Sequence, residues 1–275
     1  MRSVLDDATA RLRAAGVASP RVDAELLLAH CLGVKWSRLS TVDVDGPAAL
    51  TEFEKLVERR ANREPLQYIM GSAPFRYVDL AVGPGVFIPR PETELLVDAV
   101  PALATGATVV DLCAGSGALA VAIATERPGT NVYAVERSPD ALPWLRRNAE
   151  PAGITVVEGD VVDPTLLAEL RGSVDAVVSN PPYVPAATAV EHEVRADPAE
   201  AVFAGPDGLA VIPAVLARAA DLLRAGGVLA VEHDESHGDA VPELLRAAGG
   251  WRDVTAHRDL AGRPRYATAV RAAAR

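Results

Sequence analysis

The chain has 275 residues, 49% hydrophobic and 23% charged, which supplies enough apolar surface for folding and excludes a disordered or low-complexity protein. That length accommodates one large domain and a smaller one. A formal charge of -10 argues against a protein that grips nucleic acid by neutralising many phosphates, and Cys31 and Cys113 alone are too few for a disulfide framework or a cysteine zinc site.

The opening stretch, MRSVLDDATARLRAAG, is broken by charges and no long apolar run follows, so neither a signal peptide nor a membrane span is expected, and a reducing cytoplasm is the expected setting. Val4, Leu5, Ala8, Leu12 and Ala15 share one face of a first helix, with Ser3 and Asp6 as a capping box ahead of it. Ser19 and Pro20 suit the cap and first turn of a second helix carrying Val22, Leu26, Leu27 and Ala29, which Gly33 stops. Pro47 opens a third with Leu50, Phe53 and Val57, and the arginines at its end, Arg59, Arg60 and Arg63, read as solvated charges. A helical bundle over residues 1–73 is the expected first domain.

From Pro74 to Pro91 the pattern turns to short extended pieces around Phe75, Val78, Leu80 and Val82, closed by Gly83-Pro84-Gly85, and predicts a hairpin-like linker over 74–91. Beyond it, strand signals at 108–112, 131–136, 154–158, 174–179 and 227–232 alternate with helical segments near 94–104, 117–127, 139–149 and 209–224. This alternation predicts an α/β domain over 92–275, a Rossmann-like parallel sheet covered on both faces, with residues 265–270 as an edge strand.

The first of these strands ends in Val109-Val110-Asp111-Leu112 and runs through Cys113-Ala114-Gly115-Ser116-Gly117 into an apolar helix. Without a Cβ at Gly115 and Gly117 the backbone can turn sharply and a ligand can lie against it near the helix N-terminus. Two ligands compete, because the loop also satisfies the dinucleotide fingerprint, with an acid about 20 residues later. Glu136 closes the second strand, where it can accept ribose hydroxyls, and Asp160 follows the third, where it can receive an adenine amino group. Three acidic strand ends favour S-adenosylmethionine, whose sulfonium and ammonium are cationic, over a dinucleotide whose pyrophosphate they repel.

The fourth strand delivers Asn180-Pro181-Pro182-Tyr183. Two prolines fix φ, remove two backbone donors and hold Asn180 extended, so its amide and the neighbouring carbonyls project as rigid acceptors. A nitrogen conjugated to a carbonyl or aromatic ring is a poor nucleophile and has to be oriented. If the Asn180 oxygen and the Pro181 carbonyl accept its two hydrogens, its lone pair turns toward an electrophilic methyl, while Tyr183 covers the planar group by stacking. No serine, cysteine or histidine nucleophile is needed.

The tetrad is similar to one shared by methyltransferases acting on adenine, on guanine in ribosomal RNA and on protein glutamine. The run Arg63-Glu64-Pro65-Leu66-Gln67-Tyr68-Ile69-Met70-Gly71, then Phe75, then Val86-Phe87-Ile88-Pro89-Arg90-Pro91-Glu92-Thr93-Glu94, resembles the release factor glutamine methyltransferases over nearly the whole chain. The resemblance implies a class I S-adenosylmethionine-dependent methyltransferase domain behind a helical domain that meets the substrate. It also implies that the substrate is the glutamine in the Gly-Gly-Gln loop of peptide chain release factors, methylated on N5, so that the protein modulates translation termination. Cys113 to Gly117, Glu136, Asp111 and Asn180 would hold the cofactor, Asp160 or Val161 would flank its adenine, and Asn180 to Tyr183 with Phe87 would hold the glutamine amide.

Two departures stand out: the family often carries glycine at the position of Cys113, and Glu232-His233-Asp234-Glu235-Ser236-His237 replaces a small-residue turn. His233 and His237 read as a solvated surface turn and no metal is expected. Glu191, His192, Glu193 and Arg195 read equally as a charged lid toward a protein substrate or as a solvated loop. A monomer without membrane or direct nucleic-acid contact is expected. The rivals are a nucleic-acid N-methyltransferase acting on a flipped base, which the acidic balance opposes, and a nucleotide-binding dehydrogenase or binding module.

Overall fold

The computed structural model describes residues 2–42 and 47–273, which divide into two compact units. The first takes the chain up to Ser72 together with Val190–Ala196, a membership that primary order does not reveal. It holds α1 (Arg2–Ala14), α2 (Pro20–Cys31), α3 (Pro47–Ala61) and the short α4 (Leu66–Met70). Leu5, Leu12, Leu27, Leu28, Phe53 and Val57 are buried in one core, because apolar residues three and four apart give each helix a single stripe to cover. α1 begins at Arg2, so Ser3 lies inside its first turn rather than ahead of it, and Ser19 takes the cap position of α2 without a side-chain cap bond.

The arginines at the end of α3 divide. Arg59 stays at the surface against Glu64, as a solvated charge should. Arg60 does not: it is 5% exposed, donating to Asp23 at 2.8 Å and to Glu193 at 3.0 Å. Arg63 forks onto both oxygens of Glu193 at 2.7 and 2.8 Å. A buried guanidinium needs acid partners, and those of Arg60 lie 37 and 133 residues away, out of reach of a reading of the local charge run.

The second unit opens at Ala73, one residue into the hairpin of β1 (Ser72–Phe75) and β2 (Val78–Ala81), which is followed by α5 (Leu95–Ala99). The helix expected to reach 104 stops at 99, since Val100 precedes Pro101 and is extended, with φ -75° and ψ 118°. Then come β3 (Thr108–Leu112), α6 (Ala118–Glu126), β4 (Asn131–Glu136), α7 (Leu142–Ala149), β5 (Thr155–Glu158) and β6 (Val174–Ser179). The chain finishes with α8 (Ala199–Val202), α9 (Ile212–Leu222), β7 (Leu223–Glu232), α10 (Ala240–Ala248), β8 (Trp251–Arg258) and β9 (Pro264–Arg271).

Seven strands form one sheet in the order β5-β4-β3-β6-β7-β9-β8, in which β3 to β7 are parallel, β9 pairs antiparallel with β7, and β8 pairs antiparallel with β9. Cores lie on both faces, one with Leu96, Leu119 and Ile123, the other with Leu112, Ile212 and Leu229. The strand expected at the edge, β9, is interior, and β8 is the edge. β8 escaped notice because its alternation is mostly polar, with five of its eight residues, including Arg252 and Asp253, exposed.

Candidate active site

The strand order reverses at β3, with β4 and β5 to one side and β6 and β7 to the other, and the crevice at such a switch point is where doubly wound sheets hold ligands. Register aligns the strand ends: Leu112 pairs with Val135 and with Ser179, and Ser179 pairs with Val231. The next residues along the carboxyl edge are therefore Glu136, Cys113, Asn180 and Glu232, on neighbouring strands about 4.8 Å apart. The Ser179 hydroxyl donates to the Leu112 carbonyl at 2.7 Å and ties the glycine loop's root to the tetrad's.

The loop is held from below. Glu136, 8% exposed, accepts from the Gly115 N–H at 2.8 Å and from the N–H groups of Arg137 and Ser138 at 2.8 and 2.7 Å. Three converging donors fix the carboxylate, which has about four acceptor sites in all and so keeps one. The Ala114 N–H reaches the Val135 carbonyl, and Asn148 donates from one side chain to the carbonyls of Ser116 and Ala81, joining the loop to β2.

Cys113 has φ +63°, in the left-handed region, which is why glycine suits this position. Its side chain packs on the core, and burial pushes its thiol well above the usual range, so it stays neutral. Asp111 is 1% exposed; one oxygen accepts from the Ala120 N–H at 3.1 Å and the other, Oδ1, is buried without a partner. Burial, with Glu136 adding to it, raises its carboxyl to about 8 against the pull of that N–H. In the free protein Asp111 is thus largely uncharged at neutral pH, and Glu136 is the main source of negative charge beside the loop.

These features suit a cationic ligand. Asp111 offers a buried orphan oxygen, and a Cβ built on Gly115 would meet nothing within 4 Å, leaving open space over the loop. Asp160 follows β5, bonded to Arg137 at 3.2 Å and to the Val162 N–H, while Val161 is buried among Leu166 and Leu167 in the core.

In the tetrad, Asn180 Nδ2 donates to Thr93 Oγ1 at 3.0 Å, which leaves Oδ1 as the free end. The Tyr183 hydroxyl donates to Glu232 at 2.7 Å, and its ring leans on the core. Burial and the Glu232 charge push this phenol well up, so it remains a donor. Phe87 is half-buried, with the Arg90 guanidinium 4.9 Å from its ring centre. Asp197, buried, pairs with Arg90 and accepts the Ile88 N–H at 3.0 Å, so the chain beyond the tetrad fixes the segment carrying Phe87.

Asn148 and Asp197 carry no local sign of a role in the sequence, and Thr93 and Glu232 stand in it only as members of longer runs. Glu232 had a signal: it is an acid ending an apolar strand, the same feature that singled out Glu136.

His233 and His237 are buried rather than solvated. His237 Nε2 bonds the Asp207 carbonyl at 2.7 Å and His233 Nδ1 bonds the Asp234 carbonyl at 2.8 Å. Among the described residues, no group of three or more His, Cys, Asp or Glu side chains could hold a metal. Glu191, His192 and Arg195 are exposed, whereas Glu193 is held by Arg60 and Arg63.

The loop under the tetrad is tight at Gly208, where φ is +78° and an added Cβ would lie 2.3 Å from the Tyr183 carbonyl and 2.8 Å from His237. Gly208→Ala is expected to lower stability by about 2 kcal/mol or more and to reduce turnover by displacing Tyr183. Denaturant melts within about 0.5 kcal/mol of wild type would show that the loop yields.

Residues 79–201 match the family model described as methyltransferase small domain, and residues 3–71 match the PrmC N-terminal domain. The sheet with its glycine loop is accordingly a class I, Rossmann-like methyltransferase domain behind a helical domain, and the protein is an enzyme. The release factor glutamine methyltransferase of Mycolicibacterium smegmatis is 52% identical over 99% of this chain and 98% of its own. Those of Streptomyces coelicolor and Corynebacterium glutamicum are 49% and 47% identical, each with 96% of both chains covered. The chain belongs to the release factor glutamine methyltransferase family. No helix of the described residues is long and apolar enough to cross a membrane.

Proposed function

We propose that this enzyme transfers a methyl group from S-adenosylmethionine to the side-chain amide nitrogen, N5, of the glutamine in the Gly-Gly-Gln motif of peptide chain release factors. The observation that carries the reading is Asn180 at the end of β6, beside the glycine loop, with its NH2 end engaged by Thr93 and its oxygen free. S-adenosylmethionine, when bound, supplies an electrophilic methyl on a sulfonium.

Cofactor binding falls to Asp111, the loop Cys113, Ala114, Gly115, Ser116 and Gly117, Glu136 whose remaining acceptor site takes a ribose hydroxyl, and Asp160 and Val161 for the adenine. Asn180 Oδ1 and the Pro181 carbonyl accept the two hydrogens of the glutamine amide. That hold turns the nitrogen lone pair out of conjugation and toward the methyl, which substitutes orientation for a general base. Pro181 and Pro182 keep the acceptors rigid, and Phe87 and Tyr183 wall the amide in and exclude water. As the nitrogen alkylates it gains positive charge, its N–H proton becomes acidic, and that proton passes by way of these acceptors to bulk water when the site opens. Release factors are the protein partner, a monomer acts on them in the cytoplasm, and the helical unit takes part in recognising them.

The test is mass spectrometry of a bacterial release factor incubated with the enzyme and S-adenosylmethionine. A gain of about 14 Da on the Gly-Gly-Gln glutamine, absent when that glutamine is replaced, is expected. Methylation elsewhere, or of nucleic acid instead, overturns the substrate assignment.

Asp111 makes a separate prediction. Its carboxyl, raised to about 8, has to ionise beside a cationic ligand, so cofactor binding is expected to release a fraction of a proton near pH 7 and to tighten as pH rises toward 8. Calorimetry in buffers of different ionisation enthalpy reads this directly, and Asp111→Asn is expected to abolish the release. Proton release of the same size in that variant assigns it to another group.

A further inference from the structure

We infer that Glu232 is a positioning residue: through Thr93 it fixes which way round the Asn180 amide stands, and so keeps an acceptor rather than a donor toward the substrate. The inference rests on the proposed reading for its substrate, a primary amide. It addresses a choice that the tetrad leaves open. The two ends of an asparagine amide fill nearly the same space, and a half-turn of Asn180 would meet the glutamine NH2 with another NH2.

The neighbour of Asn180 does not settle the choice alone. Thr93 Oγ1, 3.0 Å from Asn180 Nδ2, belongs to a hydroxyl that can accept from an N–H or donate to a carbonyl. Thr93 is buried, so its one proton needs a protein acceptor. The Thr93 hydroxyl faces the Glu232 carboxylate, which is 1% exposed and takes the Tyr183 hydroxyl on Oε1, while Oε2 has no hydrogen bond of its own. An ionised carboxylate only accepts. With Glu232 ionised, the Thr93 proton is drawn toward it, the Thr93 lone pair is left for Asn180 Nδ2, and Asn180 Oδ1 is released to the substrate.

The direction depends on the charge of Glu232. Tyr183 from the tetrad, Thr93 and Glu92 from the segment before α5, and Arg265 from β9 face that carboxylate. Burial raises it to about 6, against the hydrogen bonds and the Arg265 charge that favour ionisation. Below that pH Glu232 becomes a donor, Thr93 is freed to donate to Asn180, and the relay loses its direction.

The experiment uses the full chain and its Glu232→Gln, Thr93→Val, Thr93→Ser and Tyr183→Phe variants, with two readouts. One is the side-chain amide resonance of Asn180 in the free protein, assigned from Asn180→Asp. The other is kcat and KM on a release factor. Wild type is expected to give one Asn180 signal that titrates near pH 6, with kcat falling as pH drops through the same value. In Glu232→Gln and Thr93→Val that titration disappears, and kcat drops about 10- to 100-fold with KM within about threefold. Thr93→Ser restores both, and Tyr183→Phe leaves the Asn180 signal in place. An unaltered Asn180 signal and kcat in Thr93→Val overturns the inference, and that variant decides if Glu232→Gln does not fold. Absence of glutamine methylation by wild type sinks the proposed substrate, while the Asn180 signal still tests the relay.

Discussion

Asn180→Ala is expected to lower methyl transfer about a thousandfold while leaving cofactor affinity within about threefold. The amide oxygen at the end of β6 has one task in the proposed chemistry, which is to hold an amide nitrogen in a geometry that resonance opposes. Interactions made only in the reacting geometry appear in kcat, and loss of a preorganised hydrogen-bond partner at such a site costs about 2.7 to 4 kcal/mol. The groups proposed to bind the cofactor hang on other elements: Asp111 on β3, Glu136 on β4, and Gly115 bonded to Glu136 rather than to the tetrad. Single-turnover transfer and calorimetric binding separate the two effects. Parallel loss of both would mean that Asn180 supports the glycine loop, and the assignment of its oxygen to the substrate would be wrong.

The second large effect concerns stability. Arg60→Met is expected to destabilise the helical unit by about 3 to 5 kcal/mol, because it strands Asp23, 7% exposed, without its cation and removes one of the two guanidiniums on Glu193. Hydrogen exchange of α2 and α3 is the suitable measurement, with protection falling by about two to four powers of ten. Adding Asp23→Leu should recover much of the loss, since a buried pair exchanged for apolar groups is close to neutral. Protection within threefold of wild type in Arg60→Met would mean that water reaches Asp23.

Acid provides an independent check on the same cluster. Although burial alone would raise Glu193, the Arg63 and Arg60 guanidiniums draw it down to about 2. A depressed carboxylate stabilises above its ordinary value near 4.5 and loses that contribution as pH falls through 2. Glu193→Gln is therefore expected to narrow the stability difference between pH 5 and pH 2.

The legible parts of the sequence were those where a local pattern meets a single physical demand. Alternating strand and helix signals predict a parallel sheet, and the structure has one from β3 to β7. A glycine loop after a strand and a Pro-Pro pair after another lie side by side because Leu112 and Ser179 are in register. What escaped depends on pairing across distance. Arg60 resembles any helix-end arginine until Asp23 and Glu193 are beside it, and His233 and His237 resemble a polar turn until burial is known. Thr93 stood in plain view among Pro91, Glu92 and Glu94, yet its bond to Asn180 spans 87 residues. The position of β9 inside the sheet depended on β8, whose mostly polar face gives little periodicity to read.

The seven residues Val190–Ala196, which leave the catalytic unit after the tetrad and return at Asp197, bear on how the chain can be cut. Between them the two units are threaded by three peptide crossings instead of one, and the last crossings come from the middle of the methyltransferase domain. A recombinant fragment ending at residue 72 would carry Arg60 and Arg63 but lack Glu193, and its partner fragment would carry a loose acidic loop. The helical portion is thus a poor candidate for a transplantable module. Grafting it onto another methyltransferase would have to bring this loop along, so the region after the tetrad and the N-terminal helices are constrained to change together.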